Sequence, residues 1–181
     1  RDLTLSRAEG RMQTGGEGIL AMECRDLVIE DVQVLDNRTR SAAILLRQSR
    51  TSQVRSCLVR NYMRISVDDR TGSPDWGYAF HCIDGTGIAV HDSQATLIQG
   101  NRVIEENLLP TPENKQKFHL GAFVKKNPQK GVLLSQKVWD EEYVNNWHQG
   151  SAIIVTFSSR FFLISPMPRS MASAVMGESS P

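Results

Sequence analysis

Short apolar segments rich in β-branched residues recur between residues 18 and 107, and three of them share one pattern. The copies are anchored by Ile19, Ile44 and Ile88. Five residues after each anchor comes a small residue, namely Cys24, Ser49 and Ser93. Ten residues after it comes a β-branched aliphatic residue, namely Ile29, Val54 and Ile98, and fifteen residues after it comes a valine, namely Val34, Val59 and Val103. The anchors lie 25 and 44 residues apart, which fits one and two turns of a repeat of about 22 residues. Repeats of this length predict a solenoid.

The residues within each copy predict strands rather than helices. Residues 27–34 alternate between apolar and polar over much of their length, and Gly, Asn and Asp separate the segments. No period of 3.6 residues is present, which excludes the helical solenoids. The pattern therefore predicts an all-β fold, a parallel β-helix, in which each coil adds short strands to long parallel sheets.

The repeat also predicts which side chains stack. Since a single coil cannot bury its own inner face, its side chains must pack on the next coil. We expect two inner columns, one of anchors and one of valines: Ile19, Ile44 and Ile88; Val34, Val59 and Val103. Asn37, Asn61 and Asn107 close the copies, and asparagine tolerates the left-handed backbone conformation that tight corners often need.

Outside the copies, the chain divides into insertions and a tail. We predict β-helix coils over residues 1–157, with loop insertions near 68–76 and 108–130. Residues 158–181 form an atypical tail that we expect to be poorly ordered, because its last part has no periodic apolar face. Leu5 fits the last strand of an earlier coil, so the chain is expected to be an incomplete fragment without a signal peptide.

Composition narrows the classes of partner. The chain has 21 basic and 20 acidic residues, and a net charge of +1 gives no electrostatic reason to expect nucleic acid or a membrane surface as partner. No run of 18 apolar residues is present, so no transmembrane helix is predicted. The cysteines are three, an odd number, and Cys24 and Cys57 occupy different positions of the repeat. We therefore interpret the cysteines as small buried residues rather than as a disulfide.

The stretch from Gly18 to Asn107, and most clearly Gly77–Ser93, resembles the right-handed β-helix proteins of the pectin-lyase-like superfamily, in an uncharacterised plant-type branch. The resemblance implies a right-handed, single-stranded parallel β-helix that acts on or binds polysaccharide, with an extracellular or cell-wall location. It does not specify an activity, because the superfamily contains lyases, hydrolases, epimerases and adhesins.

The first candidate site is Asp68, Asp69 and Arg70, which the resemblance implies as catalytic residues. Lyases of this fold hold calcium with clustered carboxylates and use a basic residue to remove a proton, and the related hydrolases use paired carboxylates as acid and base. Calcium is therefore a candidate cofactor. The Asn-Thr-Asp, Gly-His-Gly and Arg-Ile-Lys motifs of the hydrolases are absent. Alternatively, these residues only form a turn before Thr71 and Gly72.

The second candidate site contains His91 as a catalytic residue and Asp92 as a substrate-binding residue, near His81 and Asp84. The resemblance implies proton exchange by histidine, as in alginate epimerases and lyases, although their Asp-Pro-His motif is absent. A metal site is a weaker alternative, because the spacing is not that of a known ligand set. The histidines could instead bind turn carbonyls and serve only the fold.

The aromatic residues Trp76, Tyr78 and Trp147 are candidates for stacking on sugar rings, and they could equally pack the flanks of the solenoid. Three functions stay open at this point. The chain could be a polysaccharide lyase, hydrolase or uronate epimerase, a noncatalytic carbohydrate-binding protein, or a structural or interaction solenoid without enzymatic activity.

Overall fold

The computed structural model describes residues 4–6, 16–68, 78–126, 147–156 and 159–164, with side chains described within 16–67, 80–122 and 147–156. These residues are mostly in short strands, and the one helix among them has six residues. The elements are β1 (Thr4–Ser6), β2 (Ile19–Met22), β3 (Val28–Glu30), β4 (Gln33–Leu35), β5 (Ala42–Arg47), β6 (Gln53–Arg55), β7 (Leu58–Arg60), β8 (Arg64–Asp68), β9 (Tyr78–Asp84), β10 (Thr86–His91), β11 (Gln94–Gln99), β12 (Arg102–Ile104), α1 (Pro112–Lys117), β13 (Phe123–Lys126), β14 (Ser151–Thr156) and β15 (Ser159–Ile164).

Three parallel sheets are built by the repeat, and each copy contributes one strand to each sheet. Sheet A has the order β1-β4-β7-β12, sheet B the order β14-β10-β5-β2, and sheet C the order β15-β11-β6-β3. The strands within all three sheets pair in parallel. The protein is therefore all-β with parallel sheets, as the sequence predicts.

The register confirms both predicted columns. Ile44 pairs with Ile19 on one side and with Ile88 on the other, and the three belong to or pack against one core. Val59 pairs in the same way with Val34 and Val103. The central members Ile44 and Val59 are 0% exposed, since copies cover them on both sides. The core thus consists of residues that can be buried only when the copies stack.

A fourth copy follows the three that the sequence reveals. Ile153 in β14 pairs with Ile88, and Leu163 in β15 pairs with Ile98. Ser159–Ile164, which the sequence assigned to the tail, extend sheet C. A separation of 65 residues between the third and fourth copies hides the repeat from inspection of the sequence. The prediction of disorder for residues 170–181 lies outside the described residues.

The N-terminal strand also belongs to the stack. Leu5 pairs with Val34 at the edge of sheet A, the sheet that receives the last strand of each copy. Leu5 therefore lies in the position of the last strand of a copy, as predicted, with Val34 as its register partner.

The corners between sheets are formed by residues in the left-handed conformation at equivalent places in the repeat. Glu23, Gln48 and Asp92 have φ angles of 50–55° where each copy leaves sheet B. The same conformation recurs at three further corners: Asp26, Thr51 and Ala95; Asp31, Ser56 and Gly100; Asp36 and Asn61. Of the three asparagines expected at corners, only Asn61 has this conformation among the described residues. The backbone geometry is conserved between copies even where the residue type is not.

The small residues after each anchor form a hydrogen-bonded column. The hydroxyl of Ser93 accepts from the backbone N–H of Ser49 (3.1 Å), and the hydroxyl of Ser49 accepts from that of Cys24 (3.3 Å). Each hydroxyl also donates to the carbonyl two residues earlier, at His91 and Arg47. The three cysteines are free, and Cys57 and Cys82 are buried, as predicted.

The first predicted insertion begins and ends in an antiparallel hairpin. Strands β8 and β9 pair antiparallel, and β13 of the second insertion adds to β9. Arg64 binds the Asp84 carboxylate with two hydrogen bonds of 2.7 and 3.0 Å, and Ser66 donates a third of 2.7 Å. Ile83 at the end of the hairpin pairs in parallel with His148, and Thr86 of β10 pairs in the same way with Ser151. The hairpin therefore meets sheet B at the start of β10.

One buried hydroxyl in the core should be replaceable with a gain in stability. Thr96 is 1% exposed, and its Oγ1 has no hydrogen-bond partner. Valine has nearly the same shape and removes the desolvated hydroxyl, so Thr96→Val should raise the free energy of unfolding by about 1 kcal/mol. Urea denaturation followed by circular dichroism measures this. The matched variant Ser52→Ala should lower stability, because the Ser52 hydroxyl donates to the Arg50 carbonyl at 3.3 Å. A less stable Thr96→Val protein would show that the hydroxyl is satisfied.

Candidate ligand-binding groove

A polar groove of about 350 Å³ lies at the corner where the copies pass from sheet B to sheet C. It is lined by residues of three successive copies, namely Glu23, Gln48, Ser49, Arg50, Asp92 and Gln94. All of these except Ser49 are exposed. The groove therefore presents carboxylates, amides and a guanidinium to solvent on a rigid scaffold of stacked strands.

The repeat explains why these residues meet. Glu23, Gln48 and Asp92 each follow their anchor isoleucine by four positions, and each donates its backbone N–H to the carbonyl one copy further along the stack. Arg25, Arg50 and Gln94 follow the anchors by six positions and are joined by parallel bridges. Equivalent residues in adjacent copies lie about 4.8 Å apart. Two columns of polar side chains thus run along the corner.

Three exposed arginines lie in or next to the groove, and Arg50 is the one that lines it. Arg25 and Arg50 stack on one another in one column, and Arg47 precedes Gln48 at the end of β5. All three side chains are exposed, and within the described part of the chain none of them forms an ion pair. Guanidinium groups bind carboxylates bidentately, and the groove amides can donate to or accept from hydroxyl groups. The arrangement is suited to a ligand that carries both carboxylates and hydroxyls.

Of the predicted site residues, Asp92 lines this groove, and His91 is its neighbour in the chain. His91 ends β10 and stacks in register on Arg47, with Thr156 on its other side. Its Nδ1 forms a hydrogen bond with the Thr156 hydroxyl, which orients the ring. Both residues thus lie where the chain passes from sheet B to sheet C.

Asp68 and His91 lie on different elements. Asp68 is the last residue of β8 and pairs with Phe80, in a hairpin that meets β10 at its first residues. His91 is the last residue of β10, at the opposite end of that strand. The catalytic roles of Asp68 and His91 therefore stay predictions. Asp69, Arg70 and Trp76 lie outside the described residues, as do the side chains of Asp68 and Tyr78.

Trp147 has a packing role instead of a place in the groove. Its side chain packs against the hydrophobic core, makes an edge contact with the His148 ring at 6.1 Å between centroids, and lies 5.6 Å from the Lys115 ammonium. The adjacent His148 bridges to Ile83, before β10 begins, which places this pair at the end of sheet B away from Asp92. Burial lowers the pKa of His148, and the nearby Glu105 carboxylate opposes this effect. Packing is the role that the sequence left open as the alternative, and sugar stacking by Trp147 stays a prediction.

The groove does not offer a donor set for calcium. Glu23 and Asp92 lie two copies apart, with the Gln48 amide between them, so their backbones are about 10 Å apart. Calcium takes six to eight oxygens at about 2.3–2.6 Å. Over the ranges that the structure describes, no group of three or more His, Cys, Asp or Glu side chains is arranged to hold a metal ion.

Most residues that line the groove were missed by sequence reasoning. Glu23, Gln48, Arg50 and Gln94 carry no recognised motif, and Ser49 was noted only as a small residue of the repeat. The usable signal was their shared offset from the anchors, which aligns the polar residues of different copies as it aligns the core.

Comparison of the chain with protein-family models, curated proteins and solved structures finds no match. No helix in the described ranges is long and apolar enough to cross a membrane.

Proposed function

We propose that this chain forms a right-handed, single-stranded parallel β-helix of the pectin-lyase-like type, and that its corner groove binds a uronate-containing polysaccharide without altering it. Stacked parallel strands support the fold, since crossovers between parallel strands of one sheet are right-handed in almost all proteins. One observation carries the function: the groove crosses three copies and combines the Arg50 guanidinium with amides and carboxylates, and Arg25 lies next to Arg50 along the stack.

The ligand class follows from the chemistry of that lining. A uronate polymer repeats a carboxylate and hydroxyls along its length, and the columns repeat guanidinium and amide groups along the stack. Arg50 and Arg25 would bind carboxylates, while Gln48, Gln94 and Asp92 would bind hydroxyls. Binding is preferred to catalysis because two residues on which the enzyme hypothesis depends lie on different elements. His91 ends β10, whereas Asp68 lies at the end of the β8–β9 hairpin that is farther from β10.

Removal of Arg50 should weaken the binding of an acidic glycan. We expect Arg50→Ala to reduce the affinity for an oligogalacturonide about tenfold, as lost charge-assisted hydrogen bonds do, in isothermal titration calorimetry. The matched control is Arg102→Ala, which removes an exposed arginine from β12 in sheet A, outside the groove. Its affinity should equal that of the unchanged protein.

Two outcomes would contradict the proposal. If the unchanged protein binds neither the acidic nor a neutral oligosaccharide, the groove is not a glycan site and a structural or interaction solenoid is the remaining function. If unsaturated or shortened products accumulate during incubation with polygalacturonate, with or without calcium, the protein is an enzyme and the noncatalytic part is wrong.

A further inference from the structure

His91 occupies a position where its charge would act on the ligand of the groove. It lies in the column Met22, Arg47, His91 and Thr156, which runs beside the groove column Glu23, Gln48 and Asp92. Its ring is partly exposed, and its neighbour along the stack is the exposed guanidinium of Arg47. The imidazole therefore lies one residue from Asp92 of the groove lining, where its charge can act on a bound ligand.

The hydrogen bond to Thr156 is compatible with both charge states of His91. A hydroxyl can donate to a neutral ring nitrogen and accept from a protonated one, so the Nδ1–Thr156 contact can persist when the ring gains a proton. The ring would keep its orientation while its charge changes. Histidine is the side chain whose charge ordinarily changes between pH 5 and 8.

The charged groups around the ring decide what its protonation does. Arg47 faces it from β5, Thr156 from β14 is neutral, and Asp92 follows it in the chain. Glu23 and Arg50 lie across the groove. A positive His91 ring would be repelled by the positive charge of Arg47 beside it. An anionic ligand would relieve that repulsion, whereas a neutral ligand would not.

We propose that His91 is a specificity-determining residue of the groove, whose imidazolium form selects anionic over neutral glycans and strengthens their binding as the pH falls toward about 5. The inference rests on the proposed glycan-binding function of the groove. It differs from the role that the sequence suggested, because His91 transfers no proton to or from the sugar.

The experiment compares two ligands at two pH values by calorimetry. The unchanged protein should bind an oligogalacturonide about fivefold more tightly at about pH 5 than at about pH 8, as one added charge near a ligand carboxylate predicts. Uronate carboxylates remain ionised over this range. A neutral oligosaccharide of the same length should show no such difference.

Three variants identify the residue responsible. His91→Gln should remove the pH difference, and His91→Lys should bind the acidic ligand tightly at both pH values. His119→Gln, which changes an exposed histidine outside the groove, should retain the difference. Circular dichroism checks that each variant is folded, and the two His91 variants give independent tests.

The outcomes separate this inference from the function on which it rests. Binding of the acidic ligand that does not depend on pH, or a pH difference that survives in His91→Gln, overturns the role of His91 and leaves the glycan-binding function intact. Absence of binding to either ligand at both pH values overturns both proposals.

Discussion

Val59→Asp should abolish folding of the protein. Val59 is 0% exposed and lies in register between Val34 and Val103, so an aspartate there would be buried between two copies without a partner. Burying an unpaired carboxylate, or neutralising it, costs several kcal/mol, and a whole domain is stable by only about 5–15 kcal/mol. Far-UV circular dichroism at neutral pH should show the loss of strand signal, and urea should produce no cooperative transition.

The control for this change lies in the same sheet. Gln33→Asp places the same side chain on β4, at an exposed position next to Val34. Its effect on the free energy of unfolding should stay within about 0.5 kcal/mol. If Val59→Asp instead unfolds at the urea concentration of the unchanged protein, the valine column is not part of the core.

The stacked core could be predicted because the same burial requirement acts in every copy. An inward position must be apolar in each copy, and this produces the isoleucines and valines that recur at fixed offsets. The fourth copy obeys the same rule with Ile153 and Leu163, yet it was missed. The 65-residue separation includes α1 and β13, and an alignment by eye does not cross such an insertion.

The groove was harder to predict because exposed corner positions carry no shared residue type. Glu23, Gln48 and Asp92 need only tolerate the left-handed conformation, so their side chains are free to differ. The first candidate site, at Asp68, Asp69 and Arg70, belongs to an insertion that interrupts the repeat. The groove, in contrast, is formed by residues that keep the repeat, and their convergence becomes visible only when the copies are stacked. Trp147 shows a related limit, since the sequence did not decide between sugar stacking and packing, and its side chain packs against the core.

Glu105→Ala should be strongly destabilising, although Glu105 is polar and follows the last strand of sheet A. Its side chain is 4% exposed and lies 3.6 Å from the Arg38 guanidinium. Its two oxygens accept from the backbone N–H groups of Met63 (2.9 Å), Asn107 (3.1 Å) and Leu108 (3.0 Å). The carboxylate thus joins the segment before the hairpin to the segment before α1.

Truncation would leave several buried groups without an acceptor at once. Arg38 would keep its hydrogen bond to the Met63 carbonyl but lose its counter-charge, and a buried charge that loses its partner costs about 3–5 kcal/mol. We expect a loss of that size in the free energy of unfolding, measured by urea denaturation. Glu105→Gln should lose less, because the amide oxygen still accepts a hydrogen bond.

The neighbouring residue provides the matched control for this cluster. Glu106 is exposed, and the Asn61 side chain binds its backbone N–H rather than its carboxylate. Glu106→Ala should therefore change stability by no more than about 0.5 kcal/mol. The pKa of Tyr62 gives a second readout, because burial raises it and the Glu105 charge raises it further. Loss of that charge in Glu105→Ala should lower the pKa of Tyr62 in a spectrophotometric titration. Equal stabilities of the Glu105→Ala and Glu106→Ala proteins would mean that solvent replaces the carboxylate at this corner.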